Sequence, residues 1–73
     1  MVLSLLAFEK IAKKAGVKRI SKDALEEMRD IIEEMAFDLA NDAVKISQHA
    51  GRKTVMARDI QFAIQRKFGE EKY

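Results

Sequence analysis

The 73-residue sequence has no cysteine, no proline and no tryptophan, and only three glycines and one histidine. Without cysteine, no disulfide can staple the fold and no thiol chemistry is available. Without proline, glycine is left as the main helix breaker. No apolar run reaches the length of a membrane span, so no membrane partner is expected. The opening MVLSLLAF is apolar but shows neither a basic leader nor a secretory cleavage site, and EKIAKK continues it at helical spacing. A cytoplasmic location is therefore expected. One histidine and no glycine-rich phosphate loop leave little for catalysis. His49 and Asp59 could mimic an acid–base pair, but no nucleophile stands at a matching spacing. Met28 and Met35 suit a helix core better than a ligand set. The sequence is thus read as neither an enzyme nor a metal, cofactor or small-molecule site.

What is present is helix-forming. Apolar residues make up 48% and charged residues 36% of the chain, a balance suited to one globular all-α domain over residues 1–73. A core in so short a chain rarely supplies more than about 3–5 kcal/mol. With no disulfide or metal to add to it, oligomerisation is the expected further source of burial.

Periodicity predicts three helices. The first runs from about Ser4, a hydroxyl cap, to Ala15, with an apolar stripe through Leu5, Phe8, Ile11, Ala12 and Ala15, and Gly16 in the C-cap position. The second starts at Ser21, with Ile20 and Leu25 placed as a hydrophobic staple, and meets no glycine before Gly51. One apolar line runs through Leu25, Met28, Ile32, Met35, Leu39, Ala43 and Ile46; another runs through Ala24, Ile31, Ala36, Ala40 and Val44. The third is expected to start at a Thr54 cap, to have Val55, Ile60, Phe62, Ala63, Ile64 and Phe68 as its apolar side, and to stop at Gly69 before a frayed EEKY tail. A second helix of about 29 residues would be about 43 Å long, against a diameter of roughly 30 Å for a globule of this size. Either it bends midway, or its exposed apolar lines are covered by a second copy crossing it. Nothing in its sequence invites a kink, which favours a homodimer.

Charge is segregated along the chain. Residues 1–22 hold six bases and one acid, residues 23–42 one base and eight acids, and residues 43–73 seven bases and three acids. Part of this complements helix dipoles, and a basic loop can be merely solvated. The same arrangement nonetheless occurs twice: GVKRIS (16–21) and GRKT (51–54) each combine a glycine, two adjacent cations and a hydroxyl residue ahead of a helix, where free N–H groups suit phosphate. Antiparallel crossing of two long helices would set the first loop of one chain beside the second loop of its partner. The two composite clusters would lie about one DNA turn, roughly 34 Å, apart.

The plan of short, long and short helix resembles the histone fold. HAGRKTVMARDIQFAI closely resembles the second loop and third helix of archaeal histones, AGVKRIS their first loop, and EEMAFDLANDAVK their central helix; the match spans about residues 8 to 68. The resemblance implies a handshake dimer that binds and bends double-stranded DNA with little sequence preference and associates into tetramers or larger assemblies on the chromosome. It implies DNA contact by Lys10, Lys13, Lys14, Lys18, Arg19, Ser21, Arg52, Lys53 and Thr54, with Arg19 entering the minor groove and Thr54 of the partner chain fixing it. Arg52 also matches an arginine that pairs with Asp59 inside one chain. His49, Asp59, Ile46 and Phe62 match a dimer–dimer contact. The chain departs from the family in lacking an N-terminal proline, in Lys10 at a position where arginine is common, in Gln48 for a frequent base, and in Phe62 for a smaller aliphatic residue. An alternative within the same fold is an interaction subunit of a heteromeric transcription factor, as the CCAAT-binding factor subunits are.

Overall fold

A computed structural model describes residues 3–68. Three helices follow in order: α1 (Leu5–Lys14), α2 (Lys22–His49) and α3 (Ala57–Phe68). Among the described residues there is no strand, and no helix is long and apolar enough to cross a membrane. The 28 residues of α2 are assigned as one helix without interruption. Gly69 and the EEKY tail lie outside the described residues.

The chain forms two compact units, residues 1–35 and 36–73, each taking one half of α2. In the first unit, the Ser4 hydroxyl caps α1 by accepting the Leu6 and Ala7 N–H groups at 3.1 and 3.4 Å. At the other end of α1, Val17 N–H donates to the Ala12 carbonyl and Gly16 N–H to the Lys13 carbonyl, both at 3.0 Å. This crossed pair is the Schellman termination, which needs a left-handed residue between the last helical turn and the loop. Gly16 supplies it with φ +99°. The Ser21 hydroxyl then starts α2 by accepting Ala24 N–H at 3.1 Å. Phe8, Ala12 and Leu25 are the buried apolar residues of this unit.

The second unit repeats the helix ending. Arg52 N–H donates to the Ser47 carbonyl and Gly51 N–H to the Gln48 carbonyl, both at 2.9 Å, with Gly51 at φ +75°. The start of α3 differs from the sequence expectation. The helix begins at Ala57, with Met56 in the cap position, rather than directly after Thr54. The Thr54 carbonyl is taken by Arg52, and the capping acceptor is the Asp59 carboxylate, which reaches back to Met56 N–H at 2.7 Å. Ala43, Ser47, Asp59 and Ala63 are buried here, and Lys67 on α3 reaches Asp42 on α2 at 3.3 Å.

The apolar interior of the chain is therefore small. Among the described residues it consists of Phe8, Leu25 and three alanines. Burying a side chain the size of Phe or Leu stabilises by about 1.5–3 kcal/mol. Fixing each residue's backbone costs roughly 1–2 kcal/mol, so two such side chains offset the ordering of only a few residues. Much of the predicted apolar stripe faces water instead: Ile11 of α1, Ile31, Ile32 and Met35 of α2, and Val55, Ile60, Phe62, Ile64 and Phe68 around α3 are all exposed. The periodicity identified amphipathic helices, but a single chain covers only part of their apolar faces.

Candidate nucleic-acid interface

The two basic loops share a helix ending and then diverge. In the first, residues 15–21, Lys18 and Arg19 are exposed and make no ion pair among the described residues. Ser21 is exposed, but its hydroxyl oxygen is already accepting Ala24 N–H. On the adjoining α1, Lys10, Lys13 and Lys14 are exposed; Lys13 stands 3.9 Å from Glu9, a contact of little energetic weight at the surface.

In the second loop, one of the two cations is committed. Arg52 makes a two-pronged contact with Asp59: Nη1 donates to Oδ2 at 2.9 Å and Nη2 to Oδ1 at 2.8 Å. Nη1 also donates to the Thr54 carbonyl at 2.9 Å. Planar guanidinium and planar carboxylate match edge to edge, which fixes direction as well as distance. The Asp59 side chain is only 2% exposed. The Arg52 hydrogen bonds, the Met56 N–H and the nearby positive charge of Arg52 and Arg58 together hold its carboxyl at about 2, below its ordinary 3.8, against the opposing effect of burial. The Arg52 guanidinium is raised in turn by its bond to Asp59.

Arg52 thus ties the turn, the Thr54 carbonyl and the first turn of α3 into one hub. Lys53 and Thr54 are left exposed at the loop tip, Lys53 without an ion pair and the Thr54 hydroxyl without a hydrogen-bond partner among the described residues. Each loop leads into a helix whose first N–H groups carry partial positive charge. Free cations beside such termini can hold phosphate groups, whereas the part-buried Arg52–Asp59 pair can only position them. The Asp59 cap was missed from the sequence. Its signal was the acid three residues after Met56, the second half of a capping box without the usual hydroxyl residue in front.

The residues expected at a dimer–dimer contact are partly brought together. Ile46, Asp59 and Phe62 line one open hollow of about 350 Å³ with Ala50, Arg52 and Arg58. His49 is exposed and follows Ile46 by three residues on α2, but it does not line the hollow.

The family model described as histone-like transcription factor (CBF/NF-Y) and archaeal histone matches residues 3–64. The chain belongs to this family. This histone-fold chain is 36% identical over 62 residues to an archaeal histone HAN1 subunit from Thermococcus zilligii, covering 85% of the chain and 92% of that relative. It is 38% identical over 60 residues to histone H4 of Dictyostelium discoideum and 37% identical over 60 residues to the major histone H4 of Tetrahymena pyriformis, covering 82% of the chain in each case. The chain spans just over half the length of these H4 relatives, 56% and 58%. Short helix, long helix and short helix, with both loops turned by a left-handed glycine, form the histone-fold arrangement of this chain.

Proposed function

We propose that this histone-fold chain is an architectural DNA-binding protein. It pairs with a second copy along α2, and the pair holds and bends duplex DNA through its basic loops with little sequence preference. The observation that carries this reading is the division of labour in the loops: Arg52 is fixed on Asp59, while Lys18, Arg19 and Lys53 stand exposed beside helix starts and make no ion pair among the described residues. Free cations on a fixed frame bind a phosphate backbone without reading bases. Lys10, Lys13 and Lys14 extend the basic surface along α1, and Thr54 offers a free hydroxyl. Ser21 acts by ordering the helix start, and Arg52 by ordering the second loop.

Pairing is supported by the exposed apolar residues of all three helices, which a partner's α2 would cover. Antiparallel crossing would bring the first loop of one chain beside the second loop of the other. The face of Ile46, His49, Asp59 and Phe62 would serve further dimer–dimer association. The similar proteins named are histones, which favours this reading over a transcription-factor interaction subunit. Such a protein would reside on the chromosome.

Two measurements on one preparation test the proposal. Sedimentation equilibrium should give the mass of two chains, with folding lost on dilution. Binding to unrelated duplexes should be similar for each, and should fall by about 10³–10⁵ between 50 and 200 mM salt if about 6–10 phosphates are neutralised. A stably folded single chain, or an affinity insensitive to salt, would overturn it.

A further inference from the structure

Leu6 is out of place on α1, where it is 58% exposed. Residues two apart in a helix lie about 200° apart around its axis, so Leu6 is on the opposite side of α1 from the buried Phe8. Ile11 is 55% exposed too, but it follows Phe8 by three residues and shares its side of the helix. A partner chain packed on that side covers Ile11 and leaves Leu6 outside. Around Leu6 the surface is mainly cationic. Lys10 and Lys13 follow it one and two turns on, and with Glu9, Ile11 and Lys14 they line an open hollow of about 680 Å³ that Leu6 also lines. Its one acid, Glu9, stands 3.9 Å from Lys13, and Lys10 and Lys14 make no ion pair among the described residues. The first turn of α1 carries no acid to offset the positive end of the helix. The Ser4 hydroxyl accepts Leu6 N–H at 3.1 Å, which fixes the backbone beneath the side chain.

A phosphate backbone suits these lysines and gives nothing to a leucine. The apolar surface of a duplex lies inside its grooves, on sugars and stacked bases. The minor groove is about 6 Å wide, and some architectural proteins enter it with an apolar side chain that parts a base step and kinks the duplex. One helical turn rises about 5.4 Å, so Lys10 can meet a phosphate on the groove wall while Leu6 lies within. We infer that Leu6 is such a wedge: it enters the minor groove beneath α1 and opens one base step, with Lys10 and Lys13 on the adjoining phosphates. The inference rests on the DNA-binding reading above and adds the side chain that opens the stack. The competing occupant is an acidic protein segment. Charge suits both, but the same compact unit carries the exposed Lys18 and Arg19 of the first basic loop, which makes the duplex the occupant.

Two duplexes of equal length are the probe. One is fully paired; the other has a central mismatched pair, whose neighbours cost less to unstack, with 2-aminopurine beside it. Wild type should prefer the mismatched duplex at least about tenfold, and the 2-aminopurine should brighten on binding as it leaves the stack. Leu6→Ala should cut the preference to about twofold or less and abolish the brightening. Its salt slope on paired DNA and its mass of two chains should match wild type, because neither a charge nor a core residue is lost. Leu6→Met, which keeps an apolar reach, should retain the preference and the brightening. Lys10→Ala should do the opposite of Leu6→Ala, lowering the salt slope by about 1 and keeping the brightening. Leu6→Ala that brightens the probe as wild type does would overturn the inference and leave the hollow to a protein segment. A Leu6→Ala chain that no longer pairs would overturn it too, by making Leu6 a pairing residue. Wild-type affinity that ignores salt would instead strike at the DNA-binding reading itself, so the two failures are distinguishable.

Discussion

The two loops of this chain read alike in sequence and are built differently. Each follows a helix closed by the same crossed pair of hydrogen bonds around a left-handed glycine. Beyond the glycine, the first loop relies on a neutral hydroxyl at Ser21 to start the next helix and keeps Lys18 and Arg19 free. The second relies on a part-buried ion pair: Asp59 starts α3 and holds Arg52, and of the two cations only Lys53 makes no ion pair among the described residues. Adjacent cations in a string thus have unequal roles. Which one meets a ligand depends on whether a carboxylate further along the chain can reach back to it.

The largest effect in this comparison is expected from Asp59→Ala. It removes the α3 cap and leaves Arg52 with the Thr54 carbonyl in place of its carboxylate, so thermal unfolding followed by circular dichroism should shift down further than for any single change in the first loop. Acid should act on the same hub. Because Asp59 titrates near 2 when folded and at its ordinary 3.8 when unfolded, its contribution is present in full above about pH 4 and declines as pH falls towards 2. In Asp59→Asn, that part of the acid sensitivity should be missing from a pH series of unfolding midpoints.

Next in size are the DNA effects. Arg19→Ala and Lys53→Ala should weaken binding to all sequences alike and lower the salt slope by about 1 for each phosphate no longer neutralised, without moving the melting temperature. Arg52→Ala should do the reverse, with instability as its main phenotype. Equal salt slopes for Arg52→Ala and Lys53→Ala would erase the distinction between the loops.

The glycines should behave alike, because there the loops are built alike. A Cβ at Gly16 or Gly51 meets nothing within 4 Å, so the cost is that of the left-handed backbone alone, roughly 1–2 kcal/mol for an alanine at either site. A much larger loss at one of them would show that its loop holds a constraint beyond the helix ending. Smallest is the contrast between hydroxyls. Ser21→Ala should cost about 1 kcal/mol as a lost cap, whereas Thr54→Ala should stay within about 0.5 kcal/mol in denaturant unfolding, since Thr54 caps nothing.

The residues that terminate and start helices through their own local chemistry were legible in the sequence. Gly16 and Gly51 stand where a left-handed residue is required, and Ser4 and Ser21 bond the first free N–H groups of their helices. The start of α3 was misread because Thr54 has the chemistry of a cap but not the position: its carbonyl is drawn to Arg52, and the turn runs two residues further before Asp59 closes it. The 3.6-residue rhythm located the helices but not which apolar residues one chain buries. Ile11 and Phe62 fit the rhythm as well as Phe8 does, yet only Phe8 is covered. Burial is a property of whatever packs against a helix, and the rhythm of one helix does not name it. The Arg52–Asp59 pairing entered through the resemblance to histones; residue types alone left Arg52 as one more loop cation.

If the second loop grips DNA as proposed, the hub around Asp59 also decides which side yields when a duplex is bent. Backbone amides, a guanidinium and a carboxylate already satisfy one another there, so little in the second loop is left to rearrange around a nucleic acid. A clamp that does not give forces the double helix to take the distortion. Preference among sequences would then follow the ease of kinking pyrimidine–purine steps and the stiffness of A-tracts, not the identity of any base edge.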